Sequence, residues 1–127
     1  MAKVLIVEDS AANCLVIKSC LGPEFNFIEA RSIPDASRVL ERERPDIMFV
    51  SEWLPEGDGF QLVREISASV APRPYVIFMT IDYQLLTWTH RLRNGANQML
   101  WKPLTADEIK ASITKWRTTR AKVSAAA

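Results

Sequence analysis

The 127-residue chain has few of the residues that build specialised sites, with two cysteines, one histidine and four glycines. A lone histidine excludes a metal site built on paired imidazoles, and His90 receives no functional role because it falls on a polar helix face. Cys14 and Cys20 lie about 240° apart around one predicted helix, too divergent for a disulfide bridge. We therefore predict two reduced thiols that fill the core.

The chain also lacks an excess of either charge and lacks a long apolar run. Its 16 Lys and Arg residues against 15 Asp and Glu residues leave a net charge of +1, which favours neither nucleic acid nor an acidic partner. The apolar stretch from Val4 to Val7 is too short to span a membrane and follows a single lysine, which excludes a signal peptide. These features predict a cytoplasmic domain without a nucleic-acid or membrane partner.

Short β-branched runs alternate with segments of helical period along the whole chain. The predicted strands are Lys3 to Val7, Phe25 to Ala30, Asp46 to Val50, Tyr75 to Met79 and Gln98 to Trp101. The predicted helices begin near Ser10, Pro34, Gly59, Asp82 and Thr105. The first, third and fourth strands are apolar throughout, which indicates burial on both faces of a parallel sheet. The pattern predicts an α/β fold with a doubly wound, five-stranded parallel sheet.

The last predicted helix has the clearest local signals. Thr105 to Glu108 forms a capping box, and a buried stripe follows at Ile109, Ile113 and Trp116. The pattern is lost after residue 117, which predicts one domain over residues 1–117 and a frayed basic tail over 118–127. The chain either stands alone or is a fragment of a longer protein.

Four polar side chains follow the predicted strands at the points where these end: Asp9, Ser51, Thr80 and Lys102. Because the carboxyl ends of parallel strands meet at one edge of a sheet, we expect the four side chains to converge on one shallow pocket. Ser51 takes the central position, where a carboxylate would make chemical sense. The expected pocket therefore contains an acidic residue, a hydroxyl and a lysine but lacks a carboxylate nucleophile at its centre.

The motifs at the strand ends resemble those of bacterial response-regulator receiver domains over nearly the whole chain. They are Glu8-Asp9, Pro45-Asp46, Pro55, Asp58-Gly59, Thr80, Gly95-Ala96 and Lys102-Pro103, in this order and each near a strand end. The resemblance implies a flavodoxin-like sheet of strand order 2-1-3-4-5. It also implies phosphoryl transfer from a histidine kinase to an aspartate held beside Mg²⁺.

The same resemblance implies roles for individual residues. Glu8 and Asp9 match the acidic metal ligands, Lys102 the cation that neutralises the phosphate, and Thr80 the hydroxyl that senses it, whereas Ser51 stands at the acceptor position. A serine hydroxyl is neutral at pH 7 and is a poorer Mg²⁺ ligand than a carboxylate, so no acyl phosphate can form. We expect at most weak Mg²⁺ binding, no other cofactor and no catalytic residue. Glu52 is expected to turn toward the opposite face of the strand. The alternative is that the chain bends where the strand ends, which would bring Glu52 into the pocket as a fixed charge that mimics the phosphorylated state.

Three other positions depart from the family pattern, and three of the residues named above also have simpler structural explanations. Ile81 and Trp53 should narrow the entrance of the pocket, and Met99 stands at the position that the family commonly uses for an aromatic switch residue. Asp9 could simply cap the first helix, Thr80 could cap the loop before the fourth helix, and Lys102 could serve only to neutralise the acidic pair. These structural roles stay open beside the functional ones.

Aromatic residues on the fourth helix and fifth strand suggest a contact surface. Trp88, Met99 and Trp101 predict an apolar patch on the face formed by the fourth helix, fifth strand and fifth helix. The expected partner is a protein, such as a histidine kinase, an output domain or another signalling protein, and a homodimer could use the same face. We thus predict an atypical, non-enzymatic receiver domain that acts by phosphorylation-independent binding.

Two alternatives remain. The chain could be a phosphoryl-accepting receiver in which Ser51 replaces a native aspartate by engineering, or in which another kinase phosphorylates Ser51. A small flavoprotein is less well supported, because the loop from Glu8 to Asn13 is acidic and would repel a phosphate group.

Overall fold

The computed structural model describes the backbone of residues 1–69 and 72–126. The strands in these ranges are β1 (Ala2–Val7), β2 (Phe25–Ala30), β3 (Ile47–Ser51), β4 (Trp53–Leu54), β5 (Gly57–Asp58), β6 (Tyr75–Thr80) and β7 (Gln98–Trp101). The helices are α1 (Ala11–Leu21), α2 (Ile33–Glu43), α3 (Gly59–Ser69), α4 (Leu85–Arg93) and α5 (Ala106–Ala126). The predicted strands are therefore confirmed to within one residue at each end.

Five of the strands form one parallel sheet in the order β2-β1-β3-β6-β7. This order confirms the flavodoxin-like topology, because β6 and β7 are the fourth and fifth strands that the sequence predicts. The short strands β4 and β5 pair with each other in an antiparallel hairpin that the sequence analysis did not predict. The hairpin directly follows Ser51 and therefore shapes the edge of the sheet where β3 ends.

Alternate side chains of the central strands enter two apolar clusters on opposite faces of the sheet. Leu5 and Val7 face the cluster covered by α2 and α3, whereas Val4 and Ile6 face the cluster covered by α1 and α5. The predicted stripe of α5 is confirmed, since Ile109, Ile113 and Trp116 are all buried. By contrast, α4 contributes no buried residue to either cluster.

Three helices begin at hydroxyl caps. Ser10 Oγ accepts a hydrogen bond from the amide of Asn13 at 3.2 Å, Ser32 caps α2 in the same way, and Thr105 Oγ1 accepts from the amide of Glu108 at 3.3 Å. The suggestion that Asp9 caps the first helix is wrong, because Ser10 takes that position and Asp9 lies exposed. The capping interaction predicted for the last helix is confirmed.

Helix α4 begins three residues later than the predicted start near Asp82. Asp82 Oδ1 accepts a hydrogen bond from the amide of Gln84 at 3.0 Å, and this local bond turns the chain before the helix can start. The helix ends at Arg93, and the amide of Ala96 then binds the carbonyl of Arg91 across Gly95, whose φ is 129°.

Helix α5 continues past residue 117, so residues 118–126 of the predicted tail are helical, whereas residue 127 lies outside the described residues. The hydroxyl groups of Thr118 and Thr119 donate hydrogen bonds to carbonyls one turn earlier, and the alanines and basic residues of this segment have a high helix propensity. Both cysteines are free thiols, Cys14 buried and Cys20 half-buried, as predicted. Among the described residues, none of the helices has the length and apolar character needed to cross a membrane.

Candidate functional site

Backbone hydrogen bonds extend the sheet one residue past the strand ends and thereby fix the candidate site. The amide of Glu8 binds the carbonyl of Ala30 at 3.0 Å, and the amide of Lys102 binds the carbonyl of Thr80 at 2.9 Å. The amide of Glu52 likewise binds the carbonyl of Met79 at 2.9 Å. The carboxyl ends of β1, β3, β6 and β7 are therefore held side by side at one edge.

Three of the polar residues at this edge form what we call the inner cluster: Glu8, Ser51 and Lys102. Lys102 Nζ lies 2.7 Å from Glu8 Oε2 and donates a hydrogen bond of 2.8 Å to Ser51 Oγ. Glu8 and Ser51 are each only 1% exposed. The lysine thus reaches from β7 across β6 to join the ends of β1 and β3.

The acidic member of the inner cluster is also held from its other side. Glu8 Oε1 accepts a hydrogen bond from the amide of Ser10 at 3.2 Å, and Glu8 Oε2 accepts from the side-chain amide of Asn13 at 3.4 Å. The ammonium group and these two donors together compensate a carboxylate that would otherwise be costly to bury. Asp9, the other predicted acidic ligand, is exposed and lies outside the inner cluster.

The inner cluster does not fit a divalent cation. Within residues 1–69 and 72–126, the structure contains no group of three or more His, Cys, Asp or Glu side chains that could hold a metal ion. Mg²⁺ prefers several oxygen ligands that include carboxylates, whereas here Glu8 is bound to an ammonium group and Ser51 offers only a neutral hydroxyl.

A second group, which we call the outer cluster, consists of Glu52, Thr80 and Arg91. Thr80 Oγ1 donates a hydrogen bond to Glu52 Oε1 at 2.5 Å, and Arg91 Nη2 lies 3.5 Å from Glu52 Oε2. Glu52 is 5% exposed. The expectation that Glu52 turns away from the site is therefore wrong, and Thr80 contacts Glu52 rather than the inner cluster.

The loop after β3 explains the position of Glu52. The amide of Glu52 continues the hydrogen-bond ladder between β3 and β6, and the carbonyl of Glu52 accepts a hydrogen bond from the amide of Gly59 at 2.8 Å. The backbone of Glu52 is therefore fixed on both sides. A Cβ atom at Gly59 would lie 1.9 Å from the carbonyl oxygen of Ser51. Only glycine allows the chain to return this closely after the β4–β5 hairpin, and this return holds Glu52 against Thr80.

The rim and the predicted partner face surround these clusters. Trp53 and Ile81, expected at the entrance, are 66% and 62% exposed. Trp88 and Trp101 have ring centroids 5.7 Å apart, and Tyr83 adds a second edge-on contact to Trp101 at 4.6 Å. Met99 is half-buried and lines, together with Trp88, a groove of about 550 Å³ between α4, β7 and α5.

Cys14 lies directly beneath the inner cluster. Its Sγ is 3.8 Å from the carbonyl oxygen of Glu8, and its side chain is 1% exposed. Burial, followed by the neighbouring carboxylates of Glu29 and Glu8, raises the pKa of this thiol from 9.0 to about 11. Cys14 is therefore a protonated, unreactive packing residue at neutral pH.

Residues 4–114 match the protein family described as response regulator receiver domain. The chain is 30% identical over 113 residues to the transcriptional regulatory protein KdpE of Staphylococcus aureus, a match that covers 88% of this chain and 48% of KdpE. It is 28% identical over 113 residues to the transcriptional regulatory protein ZraR of Escherichia coli K12, covering 88% of this chain and 25% of ZraR. The chain thus spans about half the length of the first relative and a quarter of the second.

Solved structures show the same fold. A signal receiver domain from Vibrio parahaemolyticus superposes with a TM-score of 0.86 at 27% identity, and the match covers 97% of this chain and 94% of that domain. NtrX of Brucella abortus gives a TM-score of 0.85 at 23% identity over 99% of this chain and 29% of NtrX. At this level of identity the second likeness concerns the fold alone.

Proposed function

This chain belongs to the response regulator receiver family, and from that premise we propose that it acts in signal transduction by phosphorylation-independent protein binding. The observation that carries the proposal is Ser51, the buried last residue of β3, whose hydroxyl accepts a hydrogen bond from Lys102. This hydroxyl replaces the carboxylate that a receiver needs in order to accept a phosphoryl group. We propose that the output of the domain comes from binding and not from catalysis.

The surroundings of Ser51 support this proposal. The described hydrogen bonds of its hydroxyl are one from the Lys102 ammonium group and a long one of 3.4 Å to the carbonyl oxygen of Trp53. Neither group can remove the hydroxyl proton, and the nearby carboxylate of Glu8 is already paired with Lys102. A serine nucleophile requires an adjacent base, so attack on a phosphoryl donor is disfavoured.

The surface that we propose for binding a protein partner is the face of α4, β7 and α5. Leu85 and Leu86 are 80% and 84% exposed at the start of α4, and Trp101 is 41% exposed on β7. Exposed apolar and aromatic side chains of this kind are typical of protein-contact surfaces. A histidine kinase, an output domain or a second copy of the chain could bind there, and we propose a cytoplasmic location for this interaction.

Incubation with acetyl phosphate and Mg²⁺ tests the proposal. We expect no phosphoryl adduct by intact-mass spectrometry and no change in tryptophan fluorescence, because the site lacks a carboxylate nucleophile. The matched variant Ser51→Asp restores that carboxylate and should gain an adduct that is labile in base. A Mg²⁺-dependent, base-labile phosphate on the unaltered chain would contradict the proposal and favour a working phosphoryl acceptor.

A phosphate on Ser51 itself would be stable in acid and therefore distinguishable. Because Ser51 is 1% exposed, a protein kinase could reach it only after the edge of the sheet opens. Treatment with a Ser/Thr kinase followed by peptide mapping should therefore leave Ser51 unmodified. Stoichiometric modification of Ser51 would support the alternative in which another kinase controls this domain.

A further inference from the structure

Glu52 is a buried charged residue that has no part in the phosphoryl-transfer chemistry implied by the family resemblance. Its side chain is 6% exposed, and its two oxygens have different partners, Thr80 at 2.5 Å and Arg91 at 3.5 Å. A carboxylate at this depth is stable only when hydrogen bonds and an opposite charge replace its lost hydration. The outer cluster is therefore held together by Glu52, the one member that contacts both of the others.

Arg91 connects this carboxylate to α4. Its guanidinium group lies over the ring of Phe60 at 4.0 Å from the centroid, and Phe60 in turn packs edge-on against Phe78 of the sheet at 5.9 Å. None of the α4 residues is buried. The position of α4 therefore depends on polar and cation–π contacts such as those of Arg91 more than on apolar burial.

Thr80 connects the same carboxylate to the other end of α4. Its hydroxyl donates to Glu52 and accepts the amide of Asp82 at 2.9 Å. Asp82 in turn accepts the amide of Gln84, the residue that precedes α4, and its backbone carbonyl accepts the indole N–H of Trp88. Both the entry into α4 and its last turn are thus linked to the carboxylate of Glu52.

We propose that Glu52 is a built-in anion that holds α4 in one fixed arrangement through Thr80 and Arg91. This inference rests on the proposed function, because a domain that accepts no phosphoryl group needs another source of negative charge if Thr80 and α4 are to have a defined state. A side-chain carboxylate supplies that charge permanently. The exposed surface of α4, including Leu85 and Leu86, is then presented to a partner in the absence of any phosphoryl donor or metal.

The test compares Glu52→Gln with the matched control Glu56→Gln, which removes the same charge from an exposed position in the same loop. Hydrogen exchange is measured for the amides of α4 and of the central strands. In Glu52→Gln we expect exchange in α4 to accelerate roughly five- to tenfold, because a charge-assisted contact at both ends of the helix is lost, while β1 and β3 stay protected. The control should exchange at the rate of the unaltered protein.

A second variant, Arg91→Met, breaks the link from the α4 side and should give the same local acceleration. It also decides the matter if Glu52→Gln fails to fold. Unchanged α4 exchange in a folded Glu52→Gln protein, or acceleration spread equally over α4 and the central strands, would overturn the proposal. The experiment uses no phosphoryl donor, so its outcome is independent of whether the unaltered chain forms a phosphoryl adduct.

Discussion

The inner and outer clusters lie at the same edge of the sheet, and each contains one buried carboxylate paired with one cation. In the inner cluster, Lys102 joins Glu8 to Ser51, and all three residues end or follow strands of the sheet. In the outer cluster, Glu52 joins Thr80 of the sheet to Arg91 of a helix that has no buried residue. The inner cluster joins residues of the sheet to one another, whereas the outer cluster joins the sheet to a surface helix.

This difference suggests separate roles, since the inner cluster stabilises the fold and the outer cluster positions a surface helix. The inner pair is short and its carboxylate is 1% exposed, whereas the outer pair is 3.5 Å apart with side chains 18% and 6% exposed. With a neutral serine at position 51, the inner cluster is electrically balanced, since Lys102 neutralises Glu8. The adjacent residue Glu52 provides a negative charge that contacts Thr80 at the end of β6 and Arg91 of α4.

The largest expected effect comes from removing the cation of the inner cluster. Lys102→Met leaves the carboxylate of Glu8 buried without its ion pair, and we expect a loss of about 3 kcal/mol in the free energy of unfolding. The double variant with Glu8→Gln should recover most of this loss, because it removes the uncompensated charge. Urea denaturation followed by circular dichroism measures both.

A matched control for this variant is Arg117→Met. Arg117 and Glu24 are also 2.7 Å apart, but their side chains are 54% and 60% exposed, so the loss should stay below about 1 kcal/mol. Equal losses in Lys102→Met and Arg117→Met would show that burial of Glu8 adds nothing. The inner cluster would then not differ from a surface ion pair.

Much of the fold could be predicted from sequence because its signals are local. The apolar runs of β1, β3 and β6 and the helical stripe of α5 each depend on residues close in the chain. The start of α4 was predicted too early because the hydrogen bond from the amide of Gln84 to the side chain of Asp82 favours a turn over a helix. The spacing of apolar residues along the sequence gives no information about that bond. The helical continuation after residue 117 was missed because, after Trp116, the sequence has no stripe of large apolar residues at helical spacing.

The outer cluster could not be predicted because its contacts are distant in sequence. Strand alternation places Ser51 and Glu52 on opposite faces, but that rule applies to an extended strand, and β3 ends at Ser51. The return of the chain at Gly59 orients Glu52, and its partner Arg91 lies 39 residues further along. The available signal in the sequence was Gly59 directly after the Pro-Glu-Gly-Asp turn, since a glycine at such a position indicates that the chain turns back tightly.

A smaller effect should appear at high pH beneath the inner cluster. The folded-state pKa of Cys14, about 11, lies above the ordinary value of 9.0, so the folded protein keeps this proton to higher pH than the unfolded chain. The stabilisation is complete below pH 9 and is lost as the pH rises toward 11, at a cost on the order of 1–2 kcal/mol. Unfolding free energies of Cys14→Ala and the unaltered protein, measured across this range, should converge.

A constant difference between Cys14→Ala and the unaltered protein from pH 8 to pH 11 would contradict the raised pKa. It would also show that the region beneath Glu8 is more open to water than its packing indicates.

The smallest effect on global stability is expected in the outer cluster. A double-mutant cycle of Glu52→Gln and Arg91→Met should give a coupling free energy of about 1 kcal/mol, below that of Glu8 and Lys102. The reason is geometric, because the pair is 3.5 Å apart and, among the described residues, Arg91 Nε is buried with no hydrogen-bond partner. A coupling as large as that of the inner pair would make the outer cluster a structural support of the fold. A small coupling together with faster exchange confined to α4 is instead the signature of a link that positions a surface without holding up the core.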